Sequence, residues 1–453
     1  MKKIDKFIYY NSIVLLIVPI LIYWIFFTRT FIGIPMSFFT IYLSYRVFKN
    51  YKESKYMPNK KYWLIAVISI FLWLFFSGVG GFSFQNEDFH YRNALLRDLI
   101  NYSWPVKYDN YGLVYYFTYF LPCALVGKIT NFSIANIFLF IYSYISILSV
   151  LYLINRYIGK DSTYSLILLI FFSGLDVLVA GKNALSFSHI EWYTNFFQYS
   201  ANTTLLYWVF NQTIPIWLIT ILLLNLSNNK NILFISSLSF FYSPFATIMI
   251  VPISVYLYLK NTNNIIKNIV SLEFINALII LFVLGSFYLS GNGIGFFCFL
   301  LSTNNSKVIL LLTYISFILI ELGLYVIPTF KVYKNDKLYL IVIIILLSIP
   351  FCIMSINNDF ISRTSIAPLF ILMVYFIKYL ESGKKRIIIY FLLLITFINP
   401  IHEIGRSVYF TFTTSDYITD DIISLGNPKI YKEKVKYEMY GSLNSFYYKY
   451  LSK

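Results

Sequence analysis

With 453 residues, 58% of them hydrophobic and 12% charged, the chain carries about half the charged fraction of a soluble protein. That excludes an ordinary soluble domain and places the chain in the membrane class. The net charge of +16 does not point to nucleic acid, because most Lys and Arg stand in short clusters between apolar runs, the mark of cytoplasmic loops.

The first run, FIYYNSIVLLIVPILIYWIFF from Phe7 to Phe27, has no charge and is long enough to cross about 30 Å of hydrocarbon as a helix. It is too long for a signal-peptide core and lacks a small-residue cleavage site, so it is read as a retained helix. Continuous runs of this kind also exclude a membrane β-barrel, whose strands alternate in polarity. A second helix over 31–48 would form a hairpin with the first. The start MKKIDK and the segment Arg46–Lys61 are basic, and the positive-inside rule assigns both to the cytoplasm. A third helix over 62–82 then leads outward into a polar loop, 83–131.

Within that loop, NYGLVYYFTYFLPCALVGK (110–128) is short, aromatic and interrupted by Pro122. Read as an amphipathic segment on the outer surface, it leaves Arg156 with Lys160, then Lys230, Lys260 with Lys267, Lys331–Lys337 and Lys384–Arg386 all inside. The remaining helices are expected over 132–154, 162–180, 203–226, 231–243, 244–260, 265–290, 307–328, 337–354, 364–380 and 386–402. The fold class is thus an all-α polytopic membrane protein of about 13 transmembrane helices, within a range of roughly 11–14. It divides into a two-helix hairpin with its basic loop (1–61), a transmembrane core (62–402) and a short outer tail (403–453), basic and Tyr-rich, expected on the bilayer surface. Cys123, Cys298 and Cys352 lie in apolar surroundings at no metal-like spacing and read as small hydrophobes.

This topology collects the unusual polar residues on the outer side. The first loop holds Glu87, Asp88, His90, Arg92, Asn93, Arg97 and Asp98, and the next holds Lys182, His189, Glu191, Trp192 and Gln198. Asn211 and Gln212 open a nearby helix. Asp359 with Arg363 and Glu403 with Arg406 flank the last spans, beside His402. A solvated loop position accounts for any one histidine, and ion pairs tying helix ends together account for Asp359–Arg363 and Glu403–Arg406. Glu321, inside the span 307–328, reads as an isolated acid near the inner face with a snorkelling or helix-pairing role. Charges near membrane depth are costly unless paired or lining an aqueous cavity. In NEDFHYRNALLRDL, Asp88 has the chemistry of a general base for an acceptor hydroxyl, and arginines suit a phosphate. A solvated helix with i, i+4 ion pairs explains the same residues.

The acidic pair Glu87–Asp88, the Tyr-rich LVYYFTYFLPCALVGK and the helix ending in Arg156 resemble the GT-C superfamily of integral-membrane glycosyltransferases. NEDFHYRNALLRDLINYSWPV, HIEWYTNFFQYSANTTLLYWVFNQTIPIWL, NDFISRTSIAPLFIL and HEIGRS are similar to segments of a bacterial membrane-protein family expected to share that plan. The resemblance implies sugar transfer from a polyprenyl-phosphate or polyprenyl-diphosphate donor to a glycan, lipid or protein acceptor outside the cytoplasmic membrane. It assigns the base, or a metal ligand, to Asp88 first and Glu87 second; some relatives use a divalent cation and others do not. Arg92, Arg363 and Arg406 are the candidates for the donor phosphate, with His90, Asp98, His189, Glu191, Asn211, Gln212, Asp359 and Glu403 as further substrate contacts. Two departures stand out: the acidic loop follows the third helix rather than the first, and the tail has no room for a large soluble domain. A polysaccharide polymerase or ligase, a flippase of lipid-linked glycans and a structural scaffold are the alternatives. An outer cavity favours a transferase, and polar groups at mid-membrane favour transport.

Overall fold

The computed structural model describes residues 2–181, 186, 189–191, 194, 197–260, 271–291, 297–300, 306–354, 359–383, 387–414, 422–427 and 439–453. Lys182, Trp192, Lys267 and the cluster 384–386 lie outside them. Apolar runs without Gly or charge propagate as helices because each backbone group finds its partner within the segment. In chain order the helices are α1 (Lys2–Phe27), α2 (Thr30–Lys49), α3 (Lys60–Phe75), α4 (Glu87–Asn101), α5 (Leu121–Ile129), α6 (Phe132–Ile158), α7 (Thr163–Phe171), α8 (Asn202–Asn225) and α9 (Asn229–Ser237). They continue with α10 (Ser239–Tyr242), α11 (Pro244–Leu259), α12 (Leu272–Tyr288), α13 (Lys307–Tyr333), α14 (Lys337–Ser348), α15 (Asp359–Thr364), α16 (Ile366–Glu381), α17 (Ile387–Thr396) and α18 (Ile398–Thr413).

Among the described residues six helical segments are long and apolar enough to cross a membrane: Lys3–Phe27, Thr30–Lys49, Phe132–Ile158, Asn202–Asn225, Lys307–Tyr333 and Ile387–Thr413. Four shorter apolar stretches accompany them. Several expected spans are therefore shorter or broken. The helix expected over 162–180 stops at Phe171, where Phe172 turns extended, leaving nine residues or about 14 Å. The helix expected over 231–243 is split into α9 and α10. The last one continues to Thr413 through a junction at Phe397, so Glu403 and Arg406 lie on a helix and not in a tail.

The segment 110–128 does not lie on the surface. It forms β1 (Tyr111–Leu113), a 3-10 turn and α5, and Leu113, Phe117, Phe120, Leu121 and Cys123 are buried inside the bundle. The end of the chain is likewise docked: the strand Tyr440–Ser442 pairs antiparallel with β1, setting Tyr111 opposite Ser442. Tyr448 donates to the Leu113 carbonyl at 2.9 Å, and the hydroxyls of Tyr23 and Tyr447 meet at 2.9 Å. A second antiparallel pair joins Phe297–Phe299 to Cys352–Met354.

The basic clusters gather at one end of the bundle. Asp5 of α1 accepts from Arg156 of α6 at 2.9 Å, and Arg156 also donates to Asn225 of α8 at 2.8 Å. Arg46 pairs with Glu273 at 2.9 Å, and Lys160 with Glu381. Described residues of the polar segments, Asp88, His189 and Asp359 among them, gather away from that end. There α3 gives way to Gly78, Gly80 and Gly81, all at positive φ, where a side chain is strained. This turn delivers the chain to Asn86, whose side chain caps α4 by accepting from the Asp88 N–H at 3.1 Å. A Cβ on Gly80 would also stand 2.8 Å from the Phe140 Cβ. Gly80→Ala is therefore expected to lower stability by about 1–3 kcal/mol, measured as a lower unfolding midpoint in detergent; an unchanged midpoint would show that the turn tolerates strain.

Candidate active site at the far end of the bundle

Four elements converge above the centre of the bundle. The N-terminus of α4 presents Asp88, one third exposed, and one turn on Arg92 donates from Nη2 to Asp88 Oδ2 at 2.9 Å. Arg92 is buried, with its guanidinium over the rings of Phe89 (5.4 Å) and Phe210 (5.6 Å). Those rings supply attraction but no lone pair, so Nε and Nη1 are buried without a hydrogen-bond partner.

From α15, Arg363 pairs with Asp359 at 3.0 Å and donates to the Tyr116 hydroxyl at 2.6 Å, while its Nε has no partner. Burial opposes charge on this guanidinium, yet Asp359, the two tyrosines Tyr116 and Tyr115, and Asp88 together hold it protonated. The rings of Tyr115 and Tyr116 lie against each other at a tilt of 34°, with centroids 4.0 Å apart. Burial, then Tyr116, push its phenol up, while Arg363 and Arg92 pull it down. Tyr115 thus stands in the field of both guanidiniums and of Asp88.

The α8 contribution follows from Pro215, which has no N–H for the Asn211 carbonyl; the helix is kinked at Val209, at φ −140° and ψ 37°. Asn211 is turned into the protein, donates to the Tyr116 carbonyl at 3.3 Å and keeps a buried Oδ1 without a partner. Gln212 accepts from Ser243 at 2.8 Å through Oε1, and its Nε2 is buried and unpartnered.

On the fourth side, His189 stacks on Trp208 at 4.9 Å. Trp208 donates to Glu403 at 2.7 Å, Arg406 donates to the same Oε1 at 2.6 Å, and His189 Nδ1 is 3.9 Å from Glu403 Oε2. Burial pulls the His189 imidazole down to about 4, against the opposite pull of Glu403, so near neutral pH the 3.9 Å contact joins a neutral ring to a carboxylate. The same imidazole feels the charge of Asp88, which ties this group to the α4 side.

One turn of α18 before Glu403, Asn399 enters a deeper acidic cluster. It donates to Asp176 Oδ2 at 3.0 Å and to Glu191 Oε1 at 3.2 Å. Glu191 also accepts from Thr204 (2.6 Å), the Ala201 N–H (2.9 Å) and Gln198 (3.1 Å). Burial, then the nearby Asp176, push Glu191 up to about 7. Glu321, near the middle of α13, reaches the same place: its carboxylate and that of Asp176 both crowd the position a Cβ of Gly174 would take.

The structure thus brings together Asp88, Arg92, Asp359, Arg363, Asn211, His189, Glu403 and Arg406 from distant stretches of sequence. It does not bring in Glu87 and His90, which are exposed on other faces of α4. Asp98 is elsewhere too, fully buried and accepting from Tyr108 (2.8 Å), Ser424 (3.0 Å), the Leu425 N–H (2.8 Å) and Arg97 (2.8 Å). It fastens the segment 422–427 to α4. Gln212 faces Ser243, Glu191 belongs to the deeper acids, and His402 bonds the Ser186 carbonyl at 2.7 Å. The sequence reading missed the roles of Tyr115, Tyr116, Trp208, Asn399 and Asp176. Asp176 left a visible signal, an acid in the apolar run FFSGLDVLVA. Among the described residues no three His, Cys, Asp or Glu side chains are grouped as metal ligands. Of the site's carboxylates, Asp359 and Asp88 are the accessible ones, while Glu403 is buried.

Because the folded pKa of His189 lies below the ordinary value of about 6.5, its neutral burial stabilises the fold fully above that value. The contribution is lost as pH falls from there through about 4. His189→Gln is expected to flatten the decline in unfolding temperature across this window, an effect on the order of 3 kcal/mol at most; identical pH profiles would remove the assignment. No protein-family model, curated protein or solved structure matches the chain.

Proposed function

We propose that the chain transfers a sugar from a polyprenyl-phosphate or polyprenyl-diphosphate donor to an acceptor hydroxyl on the extracytoplasmic face of the membrane. One observation carries the reading: Arg92 keeps two buried N–H groups without a partner beside a partly exposed Asp88. Unpaired donors on a buried cation are costly, and a phosphate oxygen is the acceptor that guanidinium geometry suits best. The unpartnered Nε of Arg363 adds a further donor to the same neighbourhood.

In this reading the acceptor oxygen attacks the anomeric carbon as the bond from that carbon to the phosphate oxygen breaks. The hydroxyl proton passes to the Asp88 carboxylate, and the charge developing on the leaving phosphate is met by Arg92 and Arg363. Tyr115 and Tyr116 offer apolar faces for the sugar ring. The bilayer brings the lipid donor, and the resemblance to GT-C enzymes supports the same assignment of Asp88. A divalent cation at Asp88 fits this chemistry as well.

Asp88→Asn removes the base and keeps the shape. It is expected to reduce transfer of labelled sugar from lipid-linked donors in membranes by about 10²–10⁴-fold, with unchanged amounts of inserted protein. Full activity in that variant would overturn the reading. Arg92→Gln is expected to raise the donor concentration needed for half-maximal rate as well as to lower the rate.

Movement of a lipid-linked glycan across the membrane is a second reading. It rests on the acids Asp176, Glu191 and Glu321, which stand at the depth of the middle of α13. Proteoliposomes with a fluorescent lipid-linked glycan separate the two: transport lost in Glu321→Gln and kept in Asp88→Asn would favour it.

A further inference from the structure

Away from the buried Arg92 and Arg363, a concavity of about 440 Å³ opens where α4 ends and α6 begins. Arg97 and Asn101 of α4 line one side, and Lys128, Thr130 and Asn131 line the other. Its floor is made by Gly127, where any Cβ would run into Ile100 and would stand 3.0 Å from the Ala135 Cβ. Absence of that side chain lets α5 close against α4 and α6 and leaves the space above.

The pocket is basic and held in shape. Lys128 donates from Nζ to the Ile100 carbonyl at 3.0 Å and to the Tyr102 carbonyl, and sits 5.0 Å over the Trp104 ring. Arg97 is anchored through Asp98 at 2.8 Å, with part of its side chain exposed. Acids are not among the lining residues.

Directly below, α6 presents Ile134, Ile137, Ile141 and Ile145, each well exposed, in a line running down a helix long and apolar enough to span the bilayer. Residues three and four apart share one face of a helix, so the four isoleucines form one apolar track that starts at the mouth of the pocket. Half-buried Trp104 beside the mouth is placed as an interfacial aromatic would be. A polar cationic pocket continuous with an apolar stripe matches a molecule with an anionic head and a long hydrocarbon chain.

We propose that this pocket binds the phosphate headgroup of an anionic phospholipid, with an acyl chain laid along Ile134–Ile145 of α6. The occupant is a structural or regulatory lipid held away from Asp88, Arg92 and Arg363, and the assignment does not depend on the reaction proposed there. Charge complementarity selects the phosphate, and the isoleucine track selects a lipid over a soluble anion.

Native mass spectrometry of protein released from nanodiscs containing equal phosphatidylglycerol and phosphatidylcholine tests the proposal. Wild type is expected to retain phosphatidylglycerol in preference. Asn101→Glu places a negative charge in the pocket at an exposed position, and Lys128→Gln removes a positive one. Each is expected to lower the preference about fivefold, while Lys128→Arg restores it. Glycerol phosphate added in solution is expected not to compete. Equal retention of the two lipids by wild type, or an unchanged preference in both variants with unfolding temperatures like that of wild type, would overturn the proposal. So would full competition by glycerol phosphate, which would make the pocket a site for a soluble anion. If Lys128→Gln lowers the unfolding temperature, Asn101→Glu alone decides, since that side chain anchors no carbonyl.

Discussion

The structure depends on one constraint: hydrocarbon accepts no hydrogen bonds, so every polar group within the bundle must be answered by another part of the chain. Asp5 shows how widely this reaches. Its carboxylate accepts from Arg156, Tyr152, Tyr51 and the Ser54 N–H, joining α1, α6 and the loop after α2 in one network. At the other end Asp98 performs the same office for α4 and the segment 422–427. Between these two fastenings stands α8, with 94% of its most apolar window buried, so the other helices are arranged around it.

Where the constraint is not met, chemistry becomes available. Arg92 and Arg363 are buried cations whose carboxylate partners, Asp88 and Asp359, lie on the same helices four residues earlier. Each pairing occupies only part of the guanidinium fork. The kink around Val209 leaves Asn211 and Gln212 with polar atoms equally unanswered. Such groups are destabilising in a closed core and useful in a cavity that receives an anion. The glycine turn 78–81 and the Asn86 cap set the height at which Asp88 meets them.

Much of the plan was legible in order along the chain. Uninterrupted runs such as Phe7–Phe27 and 132–154 announced their helices, because helix formation in hydrocarbon needs only local partners. Basic clusters announced which ends gather together, and Arg156, Lys160 and Lys230 do share an end with the segment 46–61. Less legible were 110–128 and the described part of the Tyr-rich C-terminus, 439–453, read as surface segments and found paired with one another, with Tyr447 and Tyr448 buried. Their amphipathic pattern is the same for a bilayer surface and for a protein groove. Only long-range pairing, Tyr111 opposite Ser442 and Tyr23 against Tyr447, separates the two.

By itself the sequence determined a predominantly helical membrane protein, the grouping of its basic loops, and a concentration of charge in NEDFHYRNALLRD. These are local properties of composition and spacing. The pairs Asp88–Arg92, Asp359–Arg363 and Glu403–Arg406 follow from helical spacing. Tertiary structure alone decided which of them meet other residues, setting Arg363 beside Tyr115 and Tyr116 and Glu403 beside His189 and Trp208. It also decided which do not, leaving Glu87 and His90 exposed, Asp98 as a fastening and Glu191 among deeper acids. The reason is physical. Burial and field at a titratable group are set by residues hundreds of positions away, and spacing along the chain carries no record of them.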